Sequence, residues 1–198
     1  MFMKNRITRI MAISAVSLLT VSGAHAADGA GTASVTVQGS FNVDETTPLS
    51  FGTVVAIANS NTTPDLATLK VDSDGVTADI ATNGNAAILT PIVAGTPATF
   101  TVSGAAPNTV LTLTTPGDFQ LTDPSGTDTK AFDISGFEFT SITSGTAFTF
   151  DTDGTGTLVF NLGATLSTET PAGGGAADVA IPYDDVTFTG TYTMTVNY

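Results

Sequence analysis

Along residues Val186 to Tyr198, apolar and polar positions alternate without a slip. Val186, Phe188, Gly190, Tyr192, Met194, Val196 and Tyr198 fall on one side of an extended chain, and Thr187, Thr189, Thr191, Thr193, Thr195 and Asn197 fall on the other. A shift of one residue in pairing would carry the whole apolar row into water. The pattern therefore predicts a strand of fixed register, with β-branched threonines on a solvated face, lying deep in a sheet. The same period of two recurs upstream. It predicts strands over Ala33–Val43, Leu49–Ile57, Leu66–Val71, Val76–Ile80, Ala98–Val102, Val110–Thr114, Ala131–Thr140, Ala147–Phe150 and Thr157–Asn161. Asp74-Gly75, Asn83-Gly84, Pro116-Gly117, Pro124-Ser125-Gly126 and Asp153-Gly154 fall between them as turns. No stretch holds a helical period and no tandem repeat appears, so many short strands in an all-β sandwich or barrel are expected.

The amino terminus is patterned differently. Lys4, Arg6 and Arg9 precede an apolar run from Ile10 to Val21, followed by Ala24-His25-Ala26. That order describes a secretory signal peptide cut after Ala26, and the apolar run is too short for a membrane span. The expected mature chain starts at Ala27, with a small, polar leader to Thr32 and one β domain over residues 33–198. A second flexible stretch is expected at Pro171 to Ala177, around Gly173-Gly174-Gly175.

Removing the leader changes the charge. From Ala27 onward the cations are Lys70 and Lys130, set against eighteen acids, which gives a formal charge of −16 and leaves no Arg, His, Cys or Trp. A nucleic-acid partner would find no basic footprint, and an anionic membrane surface would repel such a chain. His- or Cys-centred catalysis, thiol chemistry, disulfides and His/Cys metal sites lack their residues. Stability must come from an ordinary core, for which 172 residues suffice.

Four segments together resemble a known family. Pro48-Leu49-Ser50-Phe51-Gly52-Thr53-Val54-Val55, Pro97-Ala98-Thr99-Phe100-Thr101-Val102-Ser103-Gly104, Leu162-Gly163-Ala164-Thr165-Leu166 and Gly190-Thr191-Tyr192-Thr193-Met194-Thr195-Val196-Asn197-Tyr198 look like the pattern of the DUF4402 family. That resemblance implies an exported or surface protein of a Gram-negative bacterium and assigns no activity. The early Leu-x-Phe-Gly and the terminal strand are also similar to chaperone–usher pilins and spore-coat-U-type fimbrial subunits. This implies an immunoglobulin-like antiparallel β-sandwich completed by a strand from a neighbouring subunit. Many of those subunits carry a disulfide near the start of the domain, and this chain has no cysteine.

That comparison directs attention to Ala33–Val43. Ala33, Val35, Val37, Gly39, Phe41 and Val43 alternate with Ser34, Thr36, Gln38, Ser40 and Asn42, the form a donor strand requires. The plainer reading makes it the first strand of a closed sandwich. In the donor reading it fills a neighbour's groove, the Val186–Tyr198 strand forms one wall of the acceptor, and the partners are further copies or other fibre subunits, with a periplasmic chaperone. The alternative is a monomeric secreted adhesin or carbohydrate-binding module with a ligand site at the loop end.

Acidic clusters offer weaker candidates. Asp151 and Asp153, around Gly154 and Gly156, resemble the start of a calcium loop, but the twelfth position is Leu162 and the flanks read as strands. A hairpin turn accounts for them better, and the same holds for Asp72, Asp74 and Gly75. Glu138, Asp184 and Asp185 could supply the paired carboxylates of a glycoside hydrolase, but the aromatic platforms such enzymes use are missing. The sequence thus predicts no enzyme, no cofactor and no metal cage, only diffuse divalent cations screening a strongly acidic surface.

Overall fold

Thirteen strands and no helix make up the described residues of the computed structural model, namely Ser34 and residues 40–61, 66–75, 80–140, 147–169 and 177–198. In chain order the strands begin with β1 Asn42–Thr47, β2 Thr53–Asn59, β3 Thr68–Val71, β4 Ile80–Thr82, β5 Ile88–Val93, β6 Ala98–Ser103 and β7 Val110–Thr114. They continue with β8 Phe119–Thr122, β9 Ala131–Phe139, β10 Ala147–Asp151, β11 Leu158–Thr168, β12 Ala180–Pro182 and β13 Thr195–Asn197. All pairings are antiparallel. The architecture is the expected all-β sandwich. The large glycine-centred loop expected at 171–177 lies almost wholly outside the described residues, as does the expected signal segment.

One sheet has seven strands, ordered β1-β6-β11-β3-β4, with β9 joined to β11 and β8 to β9. Two three-stranded sheets, β10-β7-β13 and β12-β2-β5, complete the fold. The long strand β11 joins the predicted Thr157–Asn161 strand to the apolar run after it. Its residues 158–162 pair with β6, 164–167 with β3 and 162–168 with β9. Because residues 165–167 have partners in both β3 and β9, those two strands flank β11 on opposite edges.

Period-two patterning puts Ala98, Phe100 and Val102 of β6 and Phe160, Leu162, Ala164 and Leu166 of β11 into the core. In β9 the inward residues are Phe132 and Ile134 and then Phe137 and Phe139, a change of parity. The ladder accounts for it: Gly163 pairs with Glu138 and Thr165 with Ser135, so β9 has one residue more than β11 between those pairs. That is a β-bulge, and Gly136 occupies it at φ +61°, where a side chain would be strained. Across the core, Phe139 meets Phe148 and Phe150 of β10 and Phe160 of β11 edge-on, at centroid distances of 4.9, 6.2 and 5.4 Å. These aromatic contacts hold the β10-β7-β13 sheet against the seven-stranded one.

The Leu-Ser-Phe-Gly segment marks where the chain changes sheets. Ser50 and Thr96 exchange backbone hydrogen bonds of 3.0 and 2.8 Å, so the β1–β2 and β5–β6 connections pass from one sheet to the other as a pair, over a buried Phe51. Strands β5 and β12 escaped the sequence reading because Pro91 and Pro182 interrupt their apolar runs. Both are sheet-edge strands, where a missing N–H is tolerated. The other missed strand, β8, has only four residues.

Two substitutions test this core by urea unfolding. Phe139→Ala, at a fully buried ring touching three others, is expected to cost about 4 kcal/mol. Val159→Ala, at a β11 side chain 60% exposed, should change stability by less than about 0.5 kcal/mol. Equal losses at the two sites would contradict the packing described.

Candidate functional site

The alternation over residues 186–198 survives in three dimensions. Val186, Phe188, Tyr192, Met194 and Val196 are half-buried, each intervening threonine is exposed, and Gly190 and Tyr198 of the apolar row are also exposed. The ladder does not follow the pattern. Thr189 exchanges hydrogen bonds of 2.8 and 2.9 Å with Thr122, the last residue of β8 in the seven-stranded sheet, and Thr195, Val196 and Asn197 pair with Thr114, Leu113 and Thr112 of β7 in another sheet. Between these anchors, residues 190–194 pair with no strand among the described residues. The expectation of a continuous strand deep in a sheet is thus corrected. Regular pairing covers three residues, on a sheet edge, because the chain leaves one sheet for the other and cannot keep a single ladder through the crossing.

Side chains pin this crossing firmly. A Cβ on Gly190 would stand 2.5 Å from the Gln120 carbonyl oxygen and 3.0 Å from atoms of Leu121 and Phe119, so only glycine permits the approach. The Tyr192 ring stacks on Phe119 at 5.6 Å and meets Phe100 and Phe137 at 6.4 Å, while its hydroxyl donates to Glu45 Oε1 of β1 at 2.8 Å. Burial, reinforced by the Glu45 carboxylate, raises the Tyr192 pKa and keeps the hydroxyl a donor. At the far end, Tyr198 stands edge-on to Phe41 at 5.2 Å and accepts a 3.3 Å hydrogen bond from the Ala106 N–H.

Of the proposed donor row, Ala33, Val35, Val37 and Gly39 lie outside the described residues. Phe41 packs on the core margin, and Val43 pairs with Val102 inside the same chain. The stretch Ala33–Val43 is therefore not one free unit, since β1 takes its last two residues as an edge strand of the seven-stranded sheet.

The acidic candidates resolve into turns and ion pairs. Asp153 Oδ1 accepts from the Thr155 N–H, the Thr155 hydroxyl and the Thr157 N–H at 2.7–2.8 Å, bonds that lower its pKa and close the hairpin turn. Asp151 ends β10, opposite Val110. Asp72 accepts from the Asp74 N–H at 3.2 Å and lies 3.4 Å from Lys70, which also holds Glu138 at 2.6 Å. Among the described residues, no three acidic or histidine side chains gather to hold an ion. Glu138 is near one end of β9, and the Asp184 N–H binds Asp128 just before the other end. That is roughly 20 Å along the strand, too far for a glycosidase pair.

One polar cluster went unread in the sequence. Asp128, with its side chain buried, accepts from Lys130 Nζ at 2.6 Å, the Lys130 N–H at 2.9 Å and the Asp184 N–H at 2.7 Å. Burial pushes its pKa up, but Lys130 and the two amides outweigh it, and the carboxyl ends below its ordinary range. Lys130 also sits 5.4 Å from the centre of the Tyr183 ring, which stacks on Phe132 and donates from its hydroxyl to the Ala131 carbonyl at 2.8 Å. Asp123 closes the turn beside it. Its carboxylate accepts from the N–H groups of Asp128, Ser125 and Thr127 and from the Ser125 hydroxyl, which hold its pKa at about 2. The visible signal was an aspartate ahead of Pro-Ser-Gly-Thr-Asp, a spacing that lets one carboxylate collect amides at +2, +4 and +5.

These groups set an acid limit on stability. The folded pKa of Asp123 lies below the ordinary value of 3.8, so its contribution is complete above about pH 4 and is lost as pH falls toward 2. Asp128, Asp153 and Asp178 are shifted the same way, while Glu169, raised by burial, opposes them. Melting temperature should hold from pH 7 to about 5 and fall between pH 4 and 2, with Asp123→Asn flattening the fall. Lys130→Met, which strands a buried carboxylate, should cost about 3 kcal/mol at pH 7 and progressively less as Asp128 protonates in acid. A constant deficit across pH would contradict the assigned pairing.

Comparison with known sequences places this architecture in a family. A family model described as a domain of unknown function, DUF4402, matches residues 41–198, from the ring beside Tyr198 through β13. No curated protein and no solved structure matches the chain. Because the match spans the sandwich from before β1 to Tyr198, the chain belongs to the DUF4402 family.

Proposed function

We propose that this is an exported structural protein of the bacterial surface, a pilin-like subunit whose copies join by β-strand donation from the alternating row ahead of β1. The observation that carries the reading is where the core begins. Among the described residues the first buried apolar one is Phe51, and the cluster runs from there to Leu166, with Phe41 and Leu49 only packed against its margin. The row Ala33, Val35, Val37 and Gly39 precedes all of it. In this reading that row is the part offered to a neighbour.

The charge pattern supports this. Lys70 and Lys130 are each held by carboxylates, so the acidic surface has no free lysine with which to attract an anionic partner. From position 29 to position 43 the chain has no charged side chain, and the same is true of 186–198. Two acidic molecules can approach through such stretches with little repulsion. In this reading the protein is no enzyme, its partners are its own copies or other fibre subunits, a periplasmic chaperone keeps it from premature pairing, and it acts in the periplasm or at the cell surface.

A second reading, a monomeric adhesin or carbohydrate-binding module, is favoured by one feature. A shallow depression lined by Asp118, Gln120, Asp133, Ser135 and Ser167 presents polar groups on a sheet face. A hydrogen bond of 2.8 Å from Gln120 Nε2 to Asp133 Oδ1 already occupies part of it.

Light-scattering mass separates the two. The chain from Ala27 is expected to form salt-resistant oligomers. A truncation starting at Ser40, which spares the β1 pairs of Asn42 and Val43, is expected to stay folded and monomeric and to be stabilised by a peptide of residues 33–39. A monomeric full chain, with a truncation that melts at the same temperature and ignores the peptide, would overturn strand donation and leave the adhesin reading.

A further inference from the structure

We infer that the outer face of the β12-β2-β5 sheet is an interface, and that its occupant is the same face of a second copy of this chain. It is a contact between the faces of two folded sandwiches and neither uses nor requires strand donation. The first argument is the residue pattern. Antiparallel sheets with one face in water alternate apolar and polar residues, whereas strands covered on both faces read as continuous apolar runs. The β10-β7-β13 sheet is of the first kind: Thr112 and Thr114 of β7, level with Thr149, Thr195 and Asn197 of its neighbours, turn away from the buried Leu111 and Leu113. Strands β2 and β5 are of the second kind. Residues 54–58 read Val-Val-Ala-Ile-Ala, and β5 reads Ile-Leu-Thr-Pro-Ile-Val.

The ladder sorts these residues onto two faces. Val54 and Ala56, packed on the core, pair with Pro91 and Leu89, so Val55 and Ile57 turn outward beside Thr90 and Ile88 of β5 and Pro182 of β12. At one end the register shifts between Thr53 and Val54, which leaves Ile92 as an extra residue ahead of Val93. Val55 is 48% exposed, Ile92 65% and Val93 56%. Three large β-branched side chains so exposed on one small sheet form a patch, not a scatter of single residues.

Charge and shape select the occupant. Of the three sheets, this one alone has no charged residue in its strands, in a chain with eighteen acids. A basic partner would be drawn to the acids elsewhere, whereas an acidic one can approach closely only where acids are absent. A second copy is acidic and carries the matching neutral face. The outward row has no aromatic ring to anchor in a lipid interface. Its valines, isoleucines and threonines make the kind of surface on which another sheet packs, about 10 Å away. Because both halves are the same patch, the contact closes as a two-fold pair. From strand spacing and rise, the face measures roughly 14 by 23 Å. A pair therefore buries on the order of 1,000 Å² in all, the range of weak, reversible contacts that build up at high protein concentration.

The chain has no cysteine, so one introduced thiol reports alone. The full secreted chain carrying Val55→Cys, on the middle strand of the face, is oxidised mildly at micromolar to millimolar concentration. Thr114→Cys, on the outward face of β7, is the control, and Ile92→Asp is then added to Val55→Cys. The expected result is a 55–55 linked dimer at least tenfold in excess over 114–114. It should grow with protein concentration and with added salt, since screening relieves repulsion between two acidic molecules. Ile92→Asp should cut the 55–55 link at least tenfold at an unchanged melting temperature, and Val93→Asp gives the same readout should Ile92→Asp lower it. Equal linking at 55 and 114, a link that weakens with salt, or one indifferent to both aspartates would overturn the interface. A thiol at position 55 that resists alkylation in dilute protein would mean that the chain's own residues cover the face, and would overturn the second-copy assignment. Oligomers joined by strand donation would keep their mass in Ile92→Asp, so failure here leaves that reading standing.

Discussion

Eleven residues, Leu158–Thr168, hold ladders with three strands at once, and the rest of the sandwich depends on that sharing. Through β6 the strand carries β1; through β3 it carries β4; through β9 it carries β8 and, beyond β8, the Thr122–Thr189 bridge. Its inward row of Phe160, Leu162, Ala164 and Leu166 is the floor on which the aromatic contacts of Phe100, Phe139 and Phe150 rest. With three partners distributed along one strand, the register of β11 fixes the registers of its neighbours. The bulge at Gly136 then allows β9 to present aromatic residues to the core on both sides of a parity change.

Polar chemistry in this protein is directed inward, to the turns and the ion pairs. Asp123 and Asp153 gather the amides of their own loops, Asp128 links Lys130 to the start of the terminal stretch through the Asp184 N–H, and Lys70 joins β3 to Glu138 on β9. These bonds hold the loops in place in a domain that has no cysteine to crosslink.

How far this was legible in the sequence depends on the kind of information involved. Which side each residue of 186–198 faces followed from alternation alone, because parity is a local property of extended chain. Where that strand pairs did not follow, since the switch from Thr122 to β7 is decided by two sheets distant in sequence. β11 was read five residues long because Gly163 and Ala164 weaken the alternating signal at the point where three strands converge. The ends of β9 were read nearly as they stand, but its bulge was not, although Phe132, Ile134, Phe137 and Phe139 around Gly136 carry the parity change openly. The Asp128–Lys130–Tyr183 cluster draws on residues some fifty positions apart, and no local pattern announces it.

Among the described residues, the stretch 190–194 is held by its side chains and has no ladder. Amide hydrogen exchange across residues 186–198, in dilute monomer, tests this most directly. The N–H groups of Thr191, Tyr192 and Thr193 should exchange orders of magnitude faster in the monomer than those of Thr122, Thr189 and β13. Uniform protection across 186–198 in the monomer would contradict the account.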